Sequence, residues 1–460
     1  MALHVPDDVV ELCKKLRDAG YEAWLVGGAV RDLLRGEDAK DFDVATSAQP
    51  ADVTRVFGRK RTIPTGEKHG TVTVLTERGG VRQHVEVTTY RGEGAYSDGR
   101  RPDEVVFVRT LDEDLKRRDF TMNAIAYDPL ADALADPYGG RRDLAARLIR
   151  AVGVPLERFR EDGLRAMRAV RFAAQLEFAI DPDTERAIPE AVDVFRKVSG
   201  ERVRDELVKI LASRRPSVGL ELMRTTGLLA ASIPELMEGV GVHQNRFHAH
   251  DVWHHTLAAV DATELAPGDP PWLVRFAALL HDVAKPRTAA PKEDSPSENT
   301  FYRHETVGAA MADEICRRLK LSNTERETIV NLVGNHMFWY TPEWTDGTVR
   351  RFLSRVGVEH VDALFLLRAG DVRARGQNEE PGREVDELRA RIAGEIERAS
   401  ALKIGDLAVG GADVMELLGC KPGPIIGEVL RALLERVLDD ASLNERDTLR
   451  ALIPEVAAKP

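Results

Sequence analysis

The stretch KDFDV, residues 40–44, places two aspartates one residue apart in a segment that otherwise has the composition of a β-strand. Successive side chains of a strand point to opposite faces, so Asp41 and Asp43 would share one face and Phe42 and Val44 the other. Two carboxylates held this close repel each other unless a divalent cation such as Mg²⁺, which takes oxygen ligands, lies between them. The stretch therefore predicts a metal site, although a turn, in which aspartate is common, would also explain it.

The length and composition predict a multidomain globular protein. A chain of 460 residues is too long for one hydrophobic core, so two to four domains are expected. Hydrophobic residues make up 43% and charged residues 31%, which is typical of a folded chain. Because the net charge is −11, a nucleic-acid partner would need a local basic surface. Residues 141–171, with nine arginines and four acidic residues, would provide one.

Three cysteines and the first residues bear on the cellular compartment. Cys13, Cys316 and Cys420 are odd in number and far apart, which argues against a disulfide framework and for a reducing environment. The first residues are acidic where a signal peptide would be basic, and no run is long enough to span a bilayer. We therefore expect a cytoplasmic protein with no membrane partner.

The order of elements predicts an α+β head followed by helices. DDVVELCKKLRDAG (residues 7–20) has the acidic start and glycine end of an amphipathic helix. Strand-like runs follow at 21–28, 70–76 and 84–90, which predicts a small sheet. From about residue 141 the chain consists of long Ala, Leu and Arg segments with helical period, so the remainder is expected to be mostly α-helical.

A glycine pair precedes the two aspartates, in LVGGAVRD, where a strand meets Gly27 and Gly28 and a helix opens at about Ala29. Without side chains, the glycines let backbone N–H groups approach a phosphate, and the helix N-terminus adds favourable partial charge. Arg31 on the first turn would add a charged contact to the same phosphates. A tight turn alone would also explain the pair, so the interpretation depends on the aspartates that follow.

A third carboxylate is available in HVEVTTYR. Glu86 lies in a strand-like run and would complete a two-metal site, in which one ion activates an attacking hydroxyl and the other holds a triphosphate. The alternative interpretation is that Glu86 is an ordinary strand residue whose side chain faces solvent.

The segment RRDFTMNAIAYDP (residues 117–129) places a basic pair directly before an aspartate. Arg118 is a candidate triphosphate contact, and Asp119 and Asn123 are candidates for fixing the ribose or the loop geometry. A capped helix would explain the same residues equally well.

The segment EDGLRAMRAVRF (residues 161–172) has charged residues at a spacing of three, so that successive members are helix neighbours. A solvated, salt-bridged face is the usual explanation. A chemical reading is more specific, because an Asp acceptor beside an Arg donor matches the base edge that cytosine and adenine share, and rejects uracil and guanine. The charged residues are Asp162, Arg165, Arg168 and Arg171.

Together, LVGGAVRD, KDFDV, RRDFTMNA and EDGLRAMRAVRF, in this order and spacing, closely resemble the motifs of the class II tRNA nucleotidyltransferase and bacterial poly(A) polymerase family. The resemblance covers about the first 230 residues. It implies a polymerase-β-like nucleotidyltransferase head and a mostly helical neck, body and tail. The implied reaction is template-independent addition of CCA to the 3′ end of tRNA from CTP and ATP, with Mg²⁺ in the head.

The resemblance also implies roles for single residues. Asp41 and Asp43 would bind the catalytic metals, with Glu86 as the probable third carboxylate. The residues implied to contact the triphosphate or ribose are Gly28, Arg31 and Arg118. The residues implied to read the base are Asp162 and Arg165, helped by Arg168 and Arg171.

Two further segments resemble parts of this family. RGEGAYSDGRRPDEV (residues 91–105) is similar to the flexible loop that helps the site switch from C to A addition, and members that add only CC lack this loop. Residues 410–453 are similar to the C-terminal helices that hold the tRNA elbow region.

A second constellation lies in the middle of the chain. His281 and Asp282 are adjacent on an apolar, helix-like run, and burial of both is costly unless a metal or partner satisfies them. With His255 upstream and Asp371 downstream, the series resembles the H…HD…D set of the HD phosphohydrolase superfamily. His304 and His336 extend this series toward the set that binds two divalent metals, whose identity the pattern leaves open. The neighbouring His254 fits less well, and the histidines left unassigned are His243, His248 and His250.

We therefore predict four domains, listed by residues as a nucleotidyltransferase head (1–140), a helical neck with the nucleotide-selecting helix (141–235), an HD domain (236–385) and a helical tail that binds tRNA (386–460). The nearest alternatives to CCA addition are an enzyme that adds only A to tRNA ending in CC, and a poly(A) polymerase. Two readings from other classes are an HD metal phosphohydrolase acting on RNA ends or nucleotides, and a non-enzymatic tRNA-binding protein. The intact KDFDV stretch argues against both as the main function.

Overall fold

The computed structural model describes residues 3–39, 41–66, 69–92, 106–244, 250–265, 270–292, 295–375, 382–398 and 402–458. The chain divides into two compact units, Met1–Met237 and Glu238–Pro460. The predicted α+β class is confirmed, with a small sheet in the first unit and helices through the rest. The four finer domain boundaries stay predictions.

The first unit is built on a seven-stranded sheet with the order β3-β4-β5-β2-β1-β6-β7. The strands are β1 (Ala23–Val26), β2 (Asp43–Thr46), β3 (Thr62–Gly66), β4 (Thr71–Arg78), β5 (Val81–Thr89), β6 (Ala126–Asp128) and β7 (Ala133–Ala135). Neighbouring strands are antiparallel except β2 and β5, which run parallel. The runs predicted as strands at 70–76 and 84–90 therefore lie in β4 and β5.

Both faces of the sheet are covered. Several helices pack on one face, and one helix with loop segments packs on the other. The head helices are α1 (Asp7–Asp18), α2 (Gly28–Leu34), α3 (Pro50–Phe57), α4 (Leu111–Lys116) and α5 (Gly140–Ala145). One core joins the buried valines of β4 and β5 to the apolar face of α1, which is the amphipathic helix predicted from the sequence. A second core on the opposite face contains Ala45, Leu115 and Val152. The alternation of β2 places Asp43 on the side of this second core, at its open end.

The remainder of the first unit is helical apart from the short parallel pair β8 (Leu148–Ile149) and β9 (Ala179–Ile180). Its helices are α6 (Pro155–Glu161), α7 (Leu164–Leu176), α8 (Pro182–Glu190), α9 (Val192–Phe195), α10 (Gly200–Leu211), α11 (Pro216–Thr225) and α12 (Leu228–Ser232). Helix α7 is the centre of this part, because α10 and α11 pack against it and most of its apolar side chains are buried.

The second unit is helical apart from the hairpin β10 (Ala290–Lys292) and β11 (Ser295–Thr300). Its first helices are α13 (Val252–Ala262), α14 (Leu273–Leu280), α15 (Lys285–Thr288), α16 (His304–Arg318), α17 (Asn323–Asn335), α18 (Asp346–Val356) and α19 (Val361–Ala374). The last four are α20 (Arg383–Glu397), α21 (Gly411–Leu418), α22 (Pro424–Asp439) and α23 (Arg446–Ala457). Helix α13 packs against α14 and α19, and α14 and α16 pack against α17.

A buried arginine ties the last helices to α18. Arg350 on α18 donates to Glu395 of α20 at 2.9 Å and to the carbonyl oxygen of Leu438 in α22 at 2.8 Å. Both charged side chains are buried, so each satisfies the other. Among the described residues, no helix is both apolar enough and long enough to cross a lipid bilayer.

Candidate functional site

Parallel pairing of β2 with β5 sets Asp43 directly opposite Glu86. The next pair in the register is Val44 with Val87, and both valines are fully buried. Because a shift of one residue would turn these valines to the other face, the core fixes the register that brings the two carboxylates together. Glu86 is exposed and Asp43 is partly exposed, so a ligand can reach both.

Asp41 belongs to the same site but not to the strand. The prediction that Asp41 and Asp43 alternate within one strand is wrong, because β2 begins at Asp43 and Asp41 lies in a bend before it. Phe42 joins the same core as Val44, as the predicted facing requires, but β1, the strand beside β2, ends at Val26 opposite Asp43, so the pairing stops there and Asp41 stays exposed.

The charges of Glu86 and Asp41 both change the pKa of Asp43. Burial, followed by the charge of Glu86, raises the pKa of Asp43 to about 6, and Asp41 acts in the same direction. Arg118 opposes these effects. A cluster of oxygen donors that repel one another fits a hard divalent cation, which would relieve the repulsion.

The turn at Gly27 closes the site on its other side. Gly27 has φ +76° and ψ −139°, a backbone conformation that is essentially restricted to glycine. A Cβ atom on Gly27 would lie 3.3 Å from Nη1 of Arg118 and 3.5 Å from Oδ2 of Asp43. Glycine therefore keeps open a space that is bordered by a cation and a carboxylate. Gly28 is the first residue of α2, one residue before the predicted start.

Arg118 is held by a buried carboxylate that the sequence reasoning missed. Asp114 accepts from Arg118 at 3.1 Å and from Arg117 at 2.7 Å. Burial alone would raise the pKa of Asp114, but the two arginines hold it below its ordinary value. The sequence could have indicated these pairs, because Arg117 and Arg118 follow Asp114 by three and four residues, which is the spacing of neighbours on a helix.

Asn123 connects the predicted phosphate contacts. It accepts from Arg31 at 3.0 Å through its side-chain oxygen, and donates to Asp119 at 3.0 Å through its side-chain nitrogen. Its carbonyl oxygen lies 3.5 Å from Nη1 of Arg118. Arg31 is also paired with Asp32 at 2.8 Å. Asn123 thus links Arg31, Arg118 and Asp119, and Arg118 lies beside Gly27; their roles toward a nucleotide stay predictions.

Asp119 and two arginines of α7 form a buried ion-pair chain. Arg168 donates twice to Asp119, at 2.6 and 2.8 Å, and Arg171 lies 2.6 Å from Glu206 of α10. Burial would raise the pKa of Asp119, but Arg168 and Asn123 hold it well below its ordinary value. The guanidinium of Arg171 lies over the ring of Phe172 and its pKa is lowered to about 10 by burial. These arginines therefore connect α7 to Asp119 on one side and to α10 on the other. The partner Glu206 was not predicted from the sequence.

Asp162 lies between helices rather than on one. The prediction that the residues from 162 to 171 lie on one helix is wrong at its first member, because α6 ends at Glu161 and α7 begins at Leu164. Asp162 instead accepts from the backbone N–H of Leu164 at 3.0 Å. The break is at Asp162 itself, whose backbone is extended (φ −144°, ψ 107°), whereas Gly163 has helical angles and no room for a Cβ, which would lie 2.6 Å from the backbone nitrogen of Phe195.

Both predicted base-reading side chains already have protein partners. Arg202 of α10 donates to the two oxygens of Asp162 at 2.6 and 3.1 Å. Arg165 lies 2.5 Å from Glu161 and donates to the carbonyl oxygen of Arg117 at 2.9 Å. Neither Arg202 nor Glu161 was predicted, because the pairing arises from the packing of α10 and α6 near the start of α7.

The segment predicted as the flexible loop lies outside the described residues from 93 to 105. Of the tail predicted to hold tRNA, residues 410–453, the described helices are α21 to α23.

The second unit brings together all six residues predicted for the HD site. They form two groups of three whose ligand atoms lie within 4.8 Å of one another. The first group is His255, His281 and Asp371, and the second is Asp282, His304 and His336. All six side chains are buried. His281 and Asp282 follow α14 directly and lie outside that helix.

Asp282 joins the two groups. Its Oδ2 atom lies 3.1 Å from Nε2 of His281, and its Oδ1 atom lies 3.4 Å from Nε2 of His304. Within the groups, His255 contacts Asp371 at 3.1 Å and His304 contacts His336 at 3.2 Å. The carboxylate of Asp282 therefore faces both sets of imidazoles, as a ligand shared between two ions would.

The protonation of this cluster suits metal binding. Burial, followed by the charge of His281, lowers the pKa of His336 to about 3, so its imidazole is neutral. Burial would raise the pKa of Asp282 and Asp371, but the adjacent histidines hold both well below the ordinary value. Neutral imidazoles and ionised carboxylates are the forms that bind divalent metals, so His336 and the two aspartates are ready for a metal. Burial would lower the pKa of His281, but the charge of Asp282 raises it, so a bound metal would displace a proton there.

Cations missed by the sequence reasoning surround the cluster. Lys285 donates to Asp282 at 2.7 Å and to Gln244 at 2.7 Å, and Arg368 donates to Asp371 at 3.0 Å. His254 contacts Asp251 at 2.7 Å on the surface, which agrees with the choice of His255 as the ligand. Of the unassigned histidines, the described His243 and His250 are in neither metal-ligand group, and His248 lies outside the described residues.

Three family profiles match the chain. They are described as the poly A polymerase head domain over residues 23–150, a probable RNA and SrmB-binding site of polymerase A over residues 177–239, and the HD domain over residues 252–401.

Relatives with known names are similar over nearly the whole chain. A CCA-adding enzyme of Geobacillus stearothermophilus is 36% identical over 452 residues, which cover 97% of this chain and 96% of the relative. An A-adding tRNA nucleotidyltransferase of Deinococcus radiodurans is 37% identical over 423 residues, which cover 90% of this chain and 91% of the relative.

Solved structures give the same result. The crystal structure of the Bacillus stearothermophilus CCA-adding enzyme in complex with CTP matches with a TM-score of 0.70 at 32% sequence identity, covering 97% of this chain and 96% of that chain. A Thermotoga maritima CCA-adding enzyme complexed with tRNA has a TM-score of 0.52 at 22% identity, covers 98% of this chain and 96% of that chain, and shares the fold.

Proposed function

Since this chain belongs to the tRNA nucleotidyltransferase family of the CCA-adding enzymes, we propose that it adds C, C and A to the 3′ end of tRNA from CTP and ATP without a template. The observation that carries the proposal is the convergence of Asp43, Glu86, Gly27 and Arg118 on one open space. A carboxylate pair beside a glycine turn and a cation suits nucleotidyl transfer, in which positioning and charge stabilisation supply most of the catalysis.

The chemistry is an in-line displacement at phosphorus. The 3′-hydroxyl oxygen of the RNA forms a bond to the α-phosphorus, the bond from that phosphorus to the bridging oxygen breaks, and pyrophosphate leaves. The hydroxyl proton passes to solvent water in the same step. Asp41, Asp43 and Glu86 would hold divalent cations, which when bound would neutralise the triphosphate and favour ionisation of the 3′-hydroxyl.

The triphosphate would lie against the Gly27 turn. Arg118 supplies a guanidinium whose orientation is set by Asp114, so little ordering is needed when the nucleotide binds. Arg31, set by Asn123 and Asp32, supplies a second cation on the adjoining turn. These contacts are the same for every nucleotide, so they give affinity and orientation but no base selection.

Base selection would come from Asp162 and Arg165. The carboxylate of Asp162 would accept from the exocyclic amino group of cytosine or adenine, and Arg165 would donate to the adjacent ring nitrogen. Uracil and guanine present a carbonyl oxygen and an N–H at these places, so acceptor would meet acceptor and donor would meet donor. Arg168 and Arg171, which are paired behind them, would hold α7 in place rather than contact the base.

A gel assay tests the function directly. Three tRNA transcripts, ending at the discriminator base, at C and at CC, are each offered CTP, ATP or both with Mg²⁺. CCA addition predicts that all three grow to the full CCA end. Growth of the CC-ended transcript alone by a single A would indicate an A-adding enzyme, which the Deinococcus radiodurans relative makes a necessary comparison. A long A ladder would indicate a poly(A) polymerase.

We also propose a second activity, metal-dependent phosphate-ester hydrolysis in the second unit. The observation that favours it is that four imidazoles and two carboxylates, all buried, face one another with Asp282 between the two groups. The ligand set suits transition-metal divalent ions, which would act as a Lewis acid on a phosphate and lower the pKa of a water molecule. Water would add to the phosphorus while one ester P–O bond breaks.

This second activity is tested with the full chain. The protein is stripped with a chelator, reloaded with Mn²⁺, Co²⁺, Ni²⁺ or Mg²⁺, and offered short RNA ending in a 3′-phosphate or a 2′,3′-cyclic phosphate. Hydrolysis that requires metal and is lost in Asp371→Asn supports the proposal. Metal bound in stoichiometric amount without hydrolysis would contradict the proposal. It would indicate that the second unit binds the ions but does not hydrolyse these substrates.

A further inference from the structure

Three large apolar side chains lie exposed beside the HD site. Tyr302 is 80% exposed, Met337 is 55% exposed and Trp339 is 74% exposed. Single exposed apolar residues are common on protein surfaces, but a Trp and a Tyr that are both exposed and both close in the chain to residues of one cluster are typical of a binding surface. We refer to Tyr302, Met337 and Trp339 as the aromatic face.

The chain directs Met337 and Trp339 outward by strict alternation. They follow α17 in a non-helical segment in which Phe338 and Tyr340 are 8% and 6% exposed. The ring of Phe338 packs against Phe352. The side chains of Met337 and Trp339, on either side of Phe338 in the chain, take the opposite direction, as alternation in extended backbone requires. The fold therefore buries every second residue and leaves a tryptophan in solvent, which packing of the core does not explain.

Short chain distances place the aromatic face at the metal-ligand cluster. Trp339 is three residues from His336 and Tyr302 is two residues from His304, so their Cα atoms lie within about 11 and 8 Å of these ligands. The two histidines meet at 3.2 Å. A second connection runs through Phe301, whose ring lies 5.5 Å from Nζ of Lys285, the residue that pairs with Asp282.

The same segment offers a cation to a phosphate chain. Arg303, between Tyr302 and His304, is exposed, and within the described ranges it has no carboxylate partner. Its backbone has φ +62°, an uncommon conformation for a residue other than glycine. An aromatic ring, an exposed guanidinium and a proposed metal ligand thus occur in three consecutive positions.

From this juxtaposition we propose that the aromatic face stacks on unpaired bases of a single-stranded RNA end whose terminal phosphate lies at the HD cluster. The inference rests on the proposed phosphohydrolase function and names its substrate class. Stacking on aromatic side chains tolerates any base, because every base has a π-face, whereas a guanidinium tracks the backbone. Such a face would let the site take RNA ends of any sequence and disfavour small phosphate esters that carry no base.

The test uses the full chain and a fluorescent adenylate tetranucleotide ending in a 2′,3′-cyclic phosphate. Trp339→Leu keeps an apolar side chain but removes the flat ring, whereas Trp339→Phe keeps a ring. Val358→Ala, at a valine that is 36% exposed in the same unit and outside the tail predicted to bind tRNA, is the matched control. Binding is measured by anisotropy in chelated protein, and a 4-thiouridine version of the RNA is photo-crosslinked to locate the contact.

We expect Trp339→Leu to weaken the Kd by about tenfold, which corresponds to about 1.4 kcal/mol, at the lower end for stacking on one base. Trp339→Phe should recover most of this loss, Val358→Ala should match the unmodified chain, and crosslinks should fall in residues 301–304 or 337–340. In reloaded protein, the ratio of kcat/KM for the RNA to that for glycerol 2-phosphate should fall in Trp339→Leu by a similar factor.

The outcomes separate this inference from the hydrolysis on which it rests. Ring-dependent binding and crosslinking without any hydrolysis would support the aromatic face and refute the phosphohydrolase. Hydrolysis of RNA ends with no dependence on Trp339 or Tyr302 would refute the aromatic face alone. Absence of crosslinks from this segment, or a concentration-dependent dimer in sedimentation that Trp339→Leu abolishes, would also overturn it, the latter in favour of a protein interface.

Discussion

The Gly27 turn gives the sharpest test of the head site, through the substitution Gly27→Ala. The new methyl group would lie 3.3 Å from Nη1 of Arg118, closer than ordinary van der Waals contact, and 3.5 Å from Oδ2 of Asp43. The substituted residue would also have to adopt the φ of +76° found at Gly27, which costs about 1–3 kcal/mol of folding free energy for a residue other than glycine. For a unit of this size, each kcal/mol lowers the melting temperature by about 2–4 °C.

Two effects of Gly27→Ala must be separated, the strain on the fold and the loss of space at the site. Gly36, just beyond the other end of α2, supplies the control, because it has the same φ of +76° and no heavy atom within 4 Å of its Cβ position. Gly36→Ala should therefore lower stability without touching the nucleotide.

The assay is single-nucleotide addition to tRNA ending in CC, with the concentration of folded protein fixed by a thermal melt. We expect Gly27→Ala to lower kcat/KM for ATP by about 10–100-fold, since displacement of a positioned group by a fraction of an ångström has effects of this order. If Gly27→Ala and Gly36→Ala have the same activity per folded molecule, the space at Gly27 does not hold the triphosphate.

Four further predictions address single contacts. Asp43→Asn should lower nucleotide addition by about 10³-fold or more with little change in melting temperature, because it removes a ligand and a charge from an accessible site; retained activity would exclude the carboxylate cluster as the catalytic site. Asp162→Asn should relax discrimination against UTP by about tenfold, measured as the ratio of kcat/KM for CTP to that for UTP, and an unchanged ratio would remove this residue from base reading. Asp119→Asn should cost about 3–5 kcal/mol at pH 7 in urea unfolding, because it leaves Arg168 without its buried partner. Since the pKa of Asp119 is lower when folded than when unfolded, its stabilisation is present above the ordinary value of 3.8 and is lost as the pH falls below it, so the difference from the unmodified chain should shrink toward pH 3. Asp282→Asn should lower the content of bound metal at both groups of the HD cluster, whereas His304→Gln should leave one ion, and equal metal content in the two variants would show that Asp282 is not shared.

Local patterns in the sequence predicted the parts of the site that depend on neighbours in the chain. The glycine pair, the carboxylates and the order of the histidines all lie in short motifs, and the structure brings them together. The family resemblance supplied the fold of the head, because the pairing of β2 with β5 joins segments about forty residues apart that no local pattern connects.

The misses have a common physical origin in contacts between segments that are distant in the chain. Asp41 lies outside the strand because β1, the strand beside β2, ends at Val26 opposite Asp43. Asp162 lies outside the helix with an extended backbone, where its carboxylate accepts from Arg202, which comes from a helix forty residues later. Sequence reasoning proposes which groups carry chemistry, but the partner of each is decided by which segments come into contact.

If Asp162 reads the base as proposed, the hydrogen bonds from Arg202 make part of the protein the resting occupant of that carboxylate. An arriving nucleotide is then a competitor, and it gains only the difference between its own hydrogen bonds and those it displaces. Cytosine and adenine would replace the hydrogen bonds that they remove, whereas uracil and guanine would remove a pair and return nothing. Between additions Asp162 would stay paired with Arg202, so the resting site would offer no vacant acceptor to a wrong base.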